Sequence, residues 1–314
     1  MNQIAHALDP AKFRDPVVTA KGEVRATVAL RGLETVWFNT GTLCNLTCRN
    51  CYIESSPRND RLAYLTVAEV TAYLEEIARD RLPTRLIGFT GGEPFMNPEI
   101  IGMLRAVLAR GLDALVLTNA MKPLRKLRAE LLTLREEFGD HLTIRVSVDH
   151  YDPPIHEQER GRRTWAPTLD GLVWLARNGF RLDVAGRRFT EEAEDSLRAG
   201  FARLFAEHRI DVDAWDPVRL MLFPEMERER DVPEITTACW GILHKSPSDV
   251  MCAGARMVVK RKDAPAPAVV ACTLLPYDPR FEMGATLAEA SGPVSLNHAF
   301  CASFCVLGGA SCSR

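Results

Sequence analysis

Short apolar runs alternate with stretches of helical periodicity from about residue 34 to residue 223. The first run is Thr35-Val36-Trp37-Phe38. Thr66-Val67-Ala68-Glu69 then has the form of a capping box, and Val70, Tyr73, Leu74 and Ile77 share one face of the helix it opens. Leu86-Ile87-Gly88-Phe89 is the second run. Asn97 and Pro98 suit the N-cap and first position of the next helix, which carries Ile101, Leu104, Val107 and Leu108 and stops at Gly111. The unit then repeats. Strands are predicted over 114–117, 142–148, 181–185 and 218–223, and helices over 124–138, through Leu169, Leu172, Val173 and Leu175 to Gly179, and over 191–208. Six strands separated by helices predict an α/β chain with a parallel sheet and right-handed crossovers. Six are fewer than the eight of a closed TIM barrel, so the expected fold is a partial (β/α)6 TIM-like barrel over 34–232, after an N-terminal extension over 1–33.

Beyond Phe223 the pattern changes. The charged run at 225–231 reads as a solvated linker or helix face. From residue 233 the chain loses helical periodicity and is rich in Pro, Gly and Cys, and Ala-Pro-Ala-Pro-Ala at 264–268 reads as an extended loop. Residues 233–314 are expected to form a small cysteine-rich C-terminal domain. No internal repeat is visible.

The length of 314 residues allows one large domain with a smaller one attached. A net charge of -2 gives no broad basic face, so a nucleic-acid partner is not expected. No stretch reaches ~18 consecutive apolar residues, and the first fourteen residues lack the apolar core of a signal peptide. No membrane partner and a cytoplasmic location are therefore expected. Nine cysteines is a high, odd count for a chain without an export signal, which points to reduced metal ligands over disulfides. Three lie at 44–51 and six after residue 238, with none between.

Cys44, Cys48 and Cys51 stand as C-x3-C-x2-C, with Tyr52 next, directly after the first strand. In a parallel barrel that is the C-terminal rim, where active sites collect. Three thiolates at this spacing can hold three irons of a cubane and leave the fourth open. A zinc site or three buried thiols are the alternatives, although zinc prefers four ligands in paired units. Thr90-Gly91-Gly92-Glu93-Pro94 ends the second strand. Its glycines let backbone approach a ligand closely and offer N–H and C=O groups to it; the alternative is an ordinary strand-to-helix turn. A dinucleotide fingerprint is absent here, and Glu93 has the wrong sign for a phosphate loop.

Together these two motifs resemble those of the radical S-adenosylmethionine (radical SAM) superfamily. The resemblance implies that Cys44, Cys48 and Cys51 bind a [4Fe–4S] cluster whose open iron is chelated by the amine and carboxylate of SAM. It places Gly91, Gly92 and Glu93, followed by Pro94, at the methionine amino group and Tyr52 near the adenine. Thr118-Asn119 resembles the family's Thr-Asn-Gly turn beside the SAM ribose, with Ala120 replacing the glycine. Ser147-Val148-Asp149 resembles its Ser-x-Asp, and His156, Arg160 and Gly161 its His-Asp-x-x-Arg-Gly, with Glu157 replacing the Asp. Arg160 is a candidate partner of the SAM carboxylate; Arg162 and Arg163 fit a solvated face better. The implied chemistry is one-electron cleavage of SAM, with an external donor such as flavodoxin or ferredoxin, and hydrogen abstraction by a 5′-deoxyadenosyl radical.

In the tail, Cys252 and Cys272 bracket an expected hairpin, Met257-Val258-Val259 against Val269-Val270. It resembles the hairpin of SPASM and twitch domains, with Pro267 at the usual glycine. Cys301-x3-Cys305-x6-Cys312 resembles their later cysteine run, each gap one residue longer. Counting Cys239, the tail is one cysteine short of a complete SPASM set. The resemblance implies at least one auxiliary [4Fe–4S] cluster with four ligands from Cys252, Cys272, Cys301, Cys305 and Cys312; two clusters or a zinc knuckle are the alternatives. Such a cluster would accept an electron from a substrate radical or bind substrate through an open iron. Substrate classes in the family are small molecules and ribosomal peptides. About thirty residues precede the barrel, too few for the leader-binding domain of many peptide enzymes, which favours a small metabolite. A non-catalytic iron–sulfur or zinc scaffold is the competing class, but it has no need of the Gly-Gly-Glu-Pro loop. His150, Tyr151, His156 and His244 are candidate acid–base groups.

Overall fold

All six apolar runs become strands of one sheet, and each pairs in parallel with the next. The computed structural model describes residues 7–225 and 230–309; Cys312 and most of the charged run at 225–231 lie outside the described residues. In chain order the elements through the barrel are β1 (Thr27–Val28), β2 (Thr35–Asn39), α1 (Val67–Arg79), β3 (Leu86–Thr90), α2 (Ile100–Leu108), β4 (Asp113–Thr118), α3 (Lys122–Lys126), α4 (Arg128–Phe138), β5 (Leu142–Ser147), α5 (Pro153–Arg160), α6 (Trp165–Arg177), β6 (Arg181–Arg188), α7 (Glu194–His208) and β7 (Leu220–Pro224). Then follow α8 (Cys239–Ile242), β8 (Ala255–Val259), β9 (Ala268–Val270), β10 (Glu282–Gly284) and β11 (Val294–Ser295). The main sheet runs β10-β9-β8-β2-β3-β4-β5-β6-β7. The chain is thus the expected α/β type with a parallel sheet.

The strands alternate between two apolar layers, because successive side chains of a strand point to opposite faces. Val36 and Phe38, Ile87 and Phe89, and Ala114 and Val116 pack under the helices with Leu74, Leu104 and Leu172. Trp37, Leu115 and Met257 belong to a second cluster with Cys252, Phe300 and Phe304 of the C-terminal segment. That segment also extends the sheet. β8 pairs in parallel with β2, Thr35 opposite Ala255 and Phe38 opposite Val258, as a seventh parallel strand. The expected hairpin then forms, with Met257 opposite Val270 and Val258 opposite Val269.

Local signals mostly act as read. Glu69 N donates to Thr66 Oγ1 at 3.2 Å and Thr66 N to Glu69 Oε2 at 2.9 Å, closing the capping box. Three details differ. α2 starts at Ile100 after Glu99, later than read; Asn97 Oδ1 still accepts from Glu99 N at 2.8 Å as a capping oxygen does, while its Nδ2 donates to Thr40 O (3.2 Å) and Leu65 O (2.9 Å). The helix expected over 124–138 is two pieces that meet at Leu127. The third is α5, an element that periodicity did not reveal; it is started by Asp152, whose Oδ1 accepts from Ile155 N at 3.3 Å, and by Pro153. Among the described residues no helix is long and apolar enough to cross a membrane.

Gly88 faces the Trp37 ring so closely that a Cβ would fall 2.3 Å from it. Trp37 is fully buried between the sheet and the C-terminal segment. Trp37→Ala should therefore cost about 3–5 kcal/mol, as large-to-small core changes do. Gly88→Ala should also destabilise, because the indole cannot move aside in a filled layer. Urea denaturation of both variants checks this; a stability change within ~0.5 kcal/mol for either would contradict the packing described.

Candidate active site

Parallel strands deliver their C-terminal ends to one rim, and the loops there interlock through backbone. Gly92 N donates to Gly41 O at 2.8 Å and Glu93 N to Leu43 O at 3.2 Å, so the glycine loop grips the cysteine loop. A Cβ on Gly92 would lie 2.2 Å from Leu43 O, and one on Gly91 2.5 Å from Gly41 O. Gly91 also has φ +134°, where side chains are strained. The Gly92 amide, read from the sequence as open to a ligand, is spent on the protein's own cysteine loop.

Glu93 continues the chain of contacts. It is buried, and its carboxylate accepts from Thr118 Oγ1 (2.8 Å), Asn119 N (2.8 Å) and Phe95 N (3.1 Å). Burial pushes its carboxyl up to about 7 against the pull of these donors. Asn119 Nδ2 then donates to Asn45 Oδ1 at 2.9 Å, back in the cysteine loop. Ala120 takes φ 56°, the left-handed conformation that a glycine enters freely.

The far side of the rim rests on α5. Arg160 makes two hydrogen bonds to the Asp149 carboxylate, at 3.0 and 3.1 Å. Arg49 N donates to Glu159 O at 2.8 Å, Arg187 N to Asp149 O at 3.0 Å, and Arg187 Nη1 to Glu159 Oε2 at 3.2 Å. Cys48 lies beside this network: burial raises its thiol, while Arg160 pulls it down.

One open cleft collects Cys44, Cys48, Cys51, Tyr52, Gly91, Gly92, Thr118, Asn119, Ser147, Asp149 and Arg160 in its wall. Glu93 and Pro94 do not line it; Glu93 holds the floor from behind, and Pro94 opens the turn Pro94–Met96. Arg162 and Arg163 are exposed, as the solvated-face reading expected. Of the candidate acid–base groups, none lines the cleft. His150 Nε2 lies 3.1 Å from Glu192 Oε2, and His156 is buried against Trp165. Sequence reasoning missed Arg187, Phe223, Leu274 and Phe304, which do line it. Arg187 had a findable signal: like Asp149, it lies near the end of a strand at this rim.

A second, small cavity is walled by Cys252, Cys272, Cys301 and Cys305, and its other lining residues are apolar, among them Leu274, Leu275, Phe281 and Phe300. Cys239 is not in this wall; its Sγ accepts from Thr236 N at 3.4 Å. Leu274 belongs to both cavities.

Both thiol sets suit a cationic multi-iron centre. Burial pushes the thiols of Cys44 and Cys301 up to about 12 and that of Cys252 to about 11, so ionised sulfurs at these places call for a positive partner. Leu46 N and Ser55 N point at Cys44 Sγ and Cys51 Sγ, each at 3.4 Å, as donors that stabilise thiolates. Among the described residues no three Cys, His, Asp or Glu side chains are grouped to hold a single metal ion. Thiolates that each bond a different iron of a cluster need not meet at one point.

Comparison with known proteins bears on the barrel and its cysteine loop. A family model described as the radical SAM superfamily matches residues 38–198. The chain is 29% identical over 143 residues to the antilisterial bacteriocin subtilosin biosynthesis protein AlbA of Bacillus subtilis (strain 168), covering 45% of this chain and 30% of that protein. It is 30% identical over 148 residues to the GTP 3′,8-cyclase of Microcystis aeruginosa, covering 44% and 42%. The matched stretch spans less than half the length of these relatives. Among solved structures, Streptococcus suis SuiB bound to S-adenosylmethionine superposes with TM-score 0.59 at 13% identity, over 82% of this chain and 64% of that one. His6-tagged anSMEcpe with bound AdoMet gives 0.58 at 14%, over 85% and 82%. Likenesses at such identity speak for the fold.

Glu93→Gln should destabilise the chain by about 1–3 kcal/mol, because an amide in place of the carboxylate leaves at least one buried donor at Thr118, Asn119 or Phe95 facing another donor. Gly92→Ala should lower the iron bound per chain, since its methyl would push Leu43 and the cysteine loop away. Chemical denaturation and iron analysis check the two; unchanged values would refute the interlock.

Proposed function

This chain belongs to the radical SAM superfamily, and from that premise we propose that it is an enzyme that oxidises a small metabolite at a C–H bond, using SAM and two [4Fe–4S] clusters. The observation that carries this reading is the pair of cysteine-lined cavities with Leu274 as their common wall. When bound, these groups supply one-electron cleavage of SAM, hydrogen abstraction from substrate, and removal of a second electron from the substrate radical as a proton leaves.

The residues have separable tasks. Cys44, Cys48 and Cys51 would hold the SAM-binding cluster and leave one iron open. Gly91, Gly92, Thr118, Asn119, Ser147 and Tyr52 line the space for SAM. Asp149 keeps Arg160 fixed at the rim, so that the guanidinium can meet a carboxylate without first paying for its own ordering. In the tail, residues 233–314 act as the cluster-bearing unit. Cys252, Cys272, Cys301 and Cys305 make a full set of four for one cluster, with no need of Cys239 or Cys312. An apolar, fully ligated pocket favours electron transfer over direct binding of substrate to an open iron. The electron for SAM cleavage would come from a donor such as flavodoxin or ferredoxin.

A second reading is the same chemistry on a residue of a ribosomal peptide. It is favoured by the likeness to AlbA and to SuiB bound to precursor peptide SuiA, which superposes with TM-score 0.50 over 63% of this chain.

Anaerobic incubation of the reconstituted protein with SAM and dithionite should give 5′-deoxyadenosine. Cys48→Ala should abolish it. Cys272→Ala should lower iron by about four atoms per chain, keep 5′-deoxyadenosine within ~2-fold (under 1 kcal/mol in the barrier) and give no oxidised product. Failure of the parent protein to cleave SAM, with iron present and candidate substrates supplied, would sink the enzyme reading. Normal product from Cys272→Ala would sink the role of the second cluster.

A further inference from the structure

Arg256 on β8 is a buried cation with an unusual set of partners. Its side chain donates only to main-chain carbonyls: Nη1 to Cys252 O (2.6 Å) and Ala255 O (2.8 Å), Nε to Ala290 O (2.8 Å), and Nη2 to Gly292 O (3.0 Å). It is 1% exposed, and among the described residues no carboxylate pairs with it. Elsewhere the chain balances buried arginines with acids: Arg25 with Glu234, Arg145 with Asp183, and Arg160 with Asp149. An uncompensated guanidinium in a protein interior costs several kcal/mol, so its retention here calls for a negative partner. Arg256 is bonded to the main chain of Cys252, and Cys252 and Cys272, two of the four cysteines around the second cavity, would supply that negative charge once ionised to hold iron.

We propose that Arg256 is the counter-charge and positioning residue of the four-cysteine site: it clamps the turn that presents Cys252 and raises the reduction potential of the cluster held there. This rests on the reading of that site as a [4Fe–4S] centre. Four thiolates give such a cluster a net negative charge that grows by one on reduction, and a nearby fixed cation favours the more negative, reduced state. The carbonyls hold the guanidinium in place without cancelling its charge. A substrate electron would thus find a readier acceptor behind the Leu274 wall.

The test uses the full chain with Cys44, Cys48 and Cys51 all changed to Ala, which leaves only the second site to carry iron. Iron analysis should find about four atoms per chain in this variant. An iron-free variant would overturn the cluster reading itself, independently of Arg256. On this background, Arg256→Met and Arg256→Gln are compared with Arg256→Lys by equilibration with one-electron dyes and EPR of the reduced cluster. The neutral variants should shift the equilibrium about tenfold toward the oxidised cluster, a potential lower by ~59 mV. Arg256→Lys should recover most of that shift. Unchanged potentials in both neutral variants would overturn the proposal. So would a Lys variant displaced as far as the neutral ones, since position without charge would then explain the effect.

Discussion

The rim is held by a backbone interlock that tolerates no side chain. The cysteine loop after β2 gives its carbonyls at Gly41 and Leu43 to amides of the Gly91–Gly92–Glu93 loop, and both glycine Cα atoms sit against that backbone. From there the order propagates laterally. Glu93 fixes the end of β4 through Thr118 and Asn119, and Asn119 returns to Asn45. Three strand ends are thereby closed into one ring of hydrogen bonds before any ligand arrives. Preorganisation of this kind matters for a reactive intermediate, because donors and acceptors already in place need not rearrange at the moment of reaction.

A second constraint comes from the two-sidedness of the sheet. Helices occupy one face, and the C-terminal segment occupies the other, with Trp37, Leu115 and Met257 as its platform. The same packing that buries this segment brings Leu274 to the boundary of both cysteine-lined cavities. The proposed electron path is therefore a by-product of core formation, and the cost of burying four sulfurs in apolar surroundings is tied to how their charge is balanced.

Much of this was legible in the sequence because its signals are local. The period-two and helical patterns depend on neighbouring residues, and the capping box at Thr66 and Glu69 or the stop at Gly139 needs only a few of them. Asn97 was only half legible: its Oδ1 makes the local capping contact to Glu99 N, but its Nδ2 ties Thr40 and Leu65, partners that no local rule reveals. α5 escaped because Pro153-Pro154 and three charged residues mask its periodicity. Yet it carries Glu159 and Arg160, which tie the cysteine loop to β5 and β6.

The sequence by itself determined the alternation of elements, the parallel sheet, and which short motifs carry chemistry, since these follow from side-chain period and spacing. Only the tertiary structure decided that β8 docks on β2, that Cys252, Cys272, Cys301 and Cys305 surround one cavity, and that Glu93 works from behind the cleft. Those outcomes depend on contacts between residues up to some two hundred positions apart. Such contacts are selected by the volume and charge that the whole core can accommodate, and no stretch of chain specifies them alone.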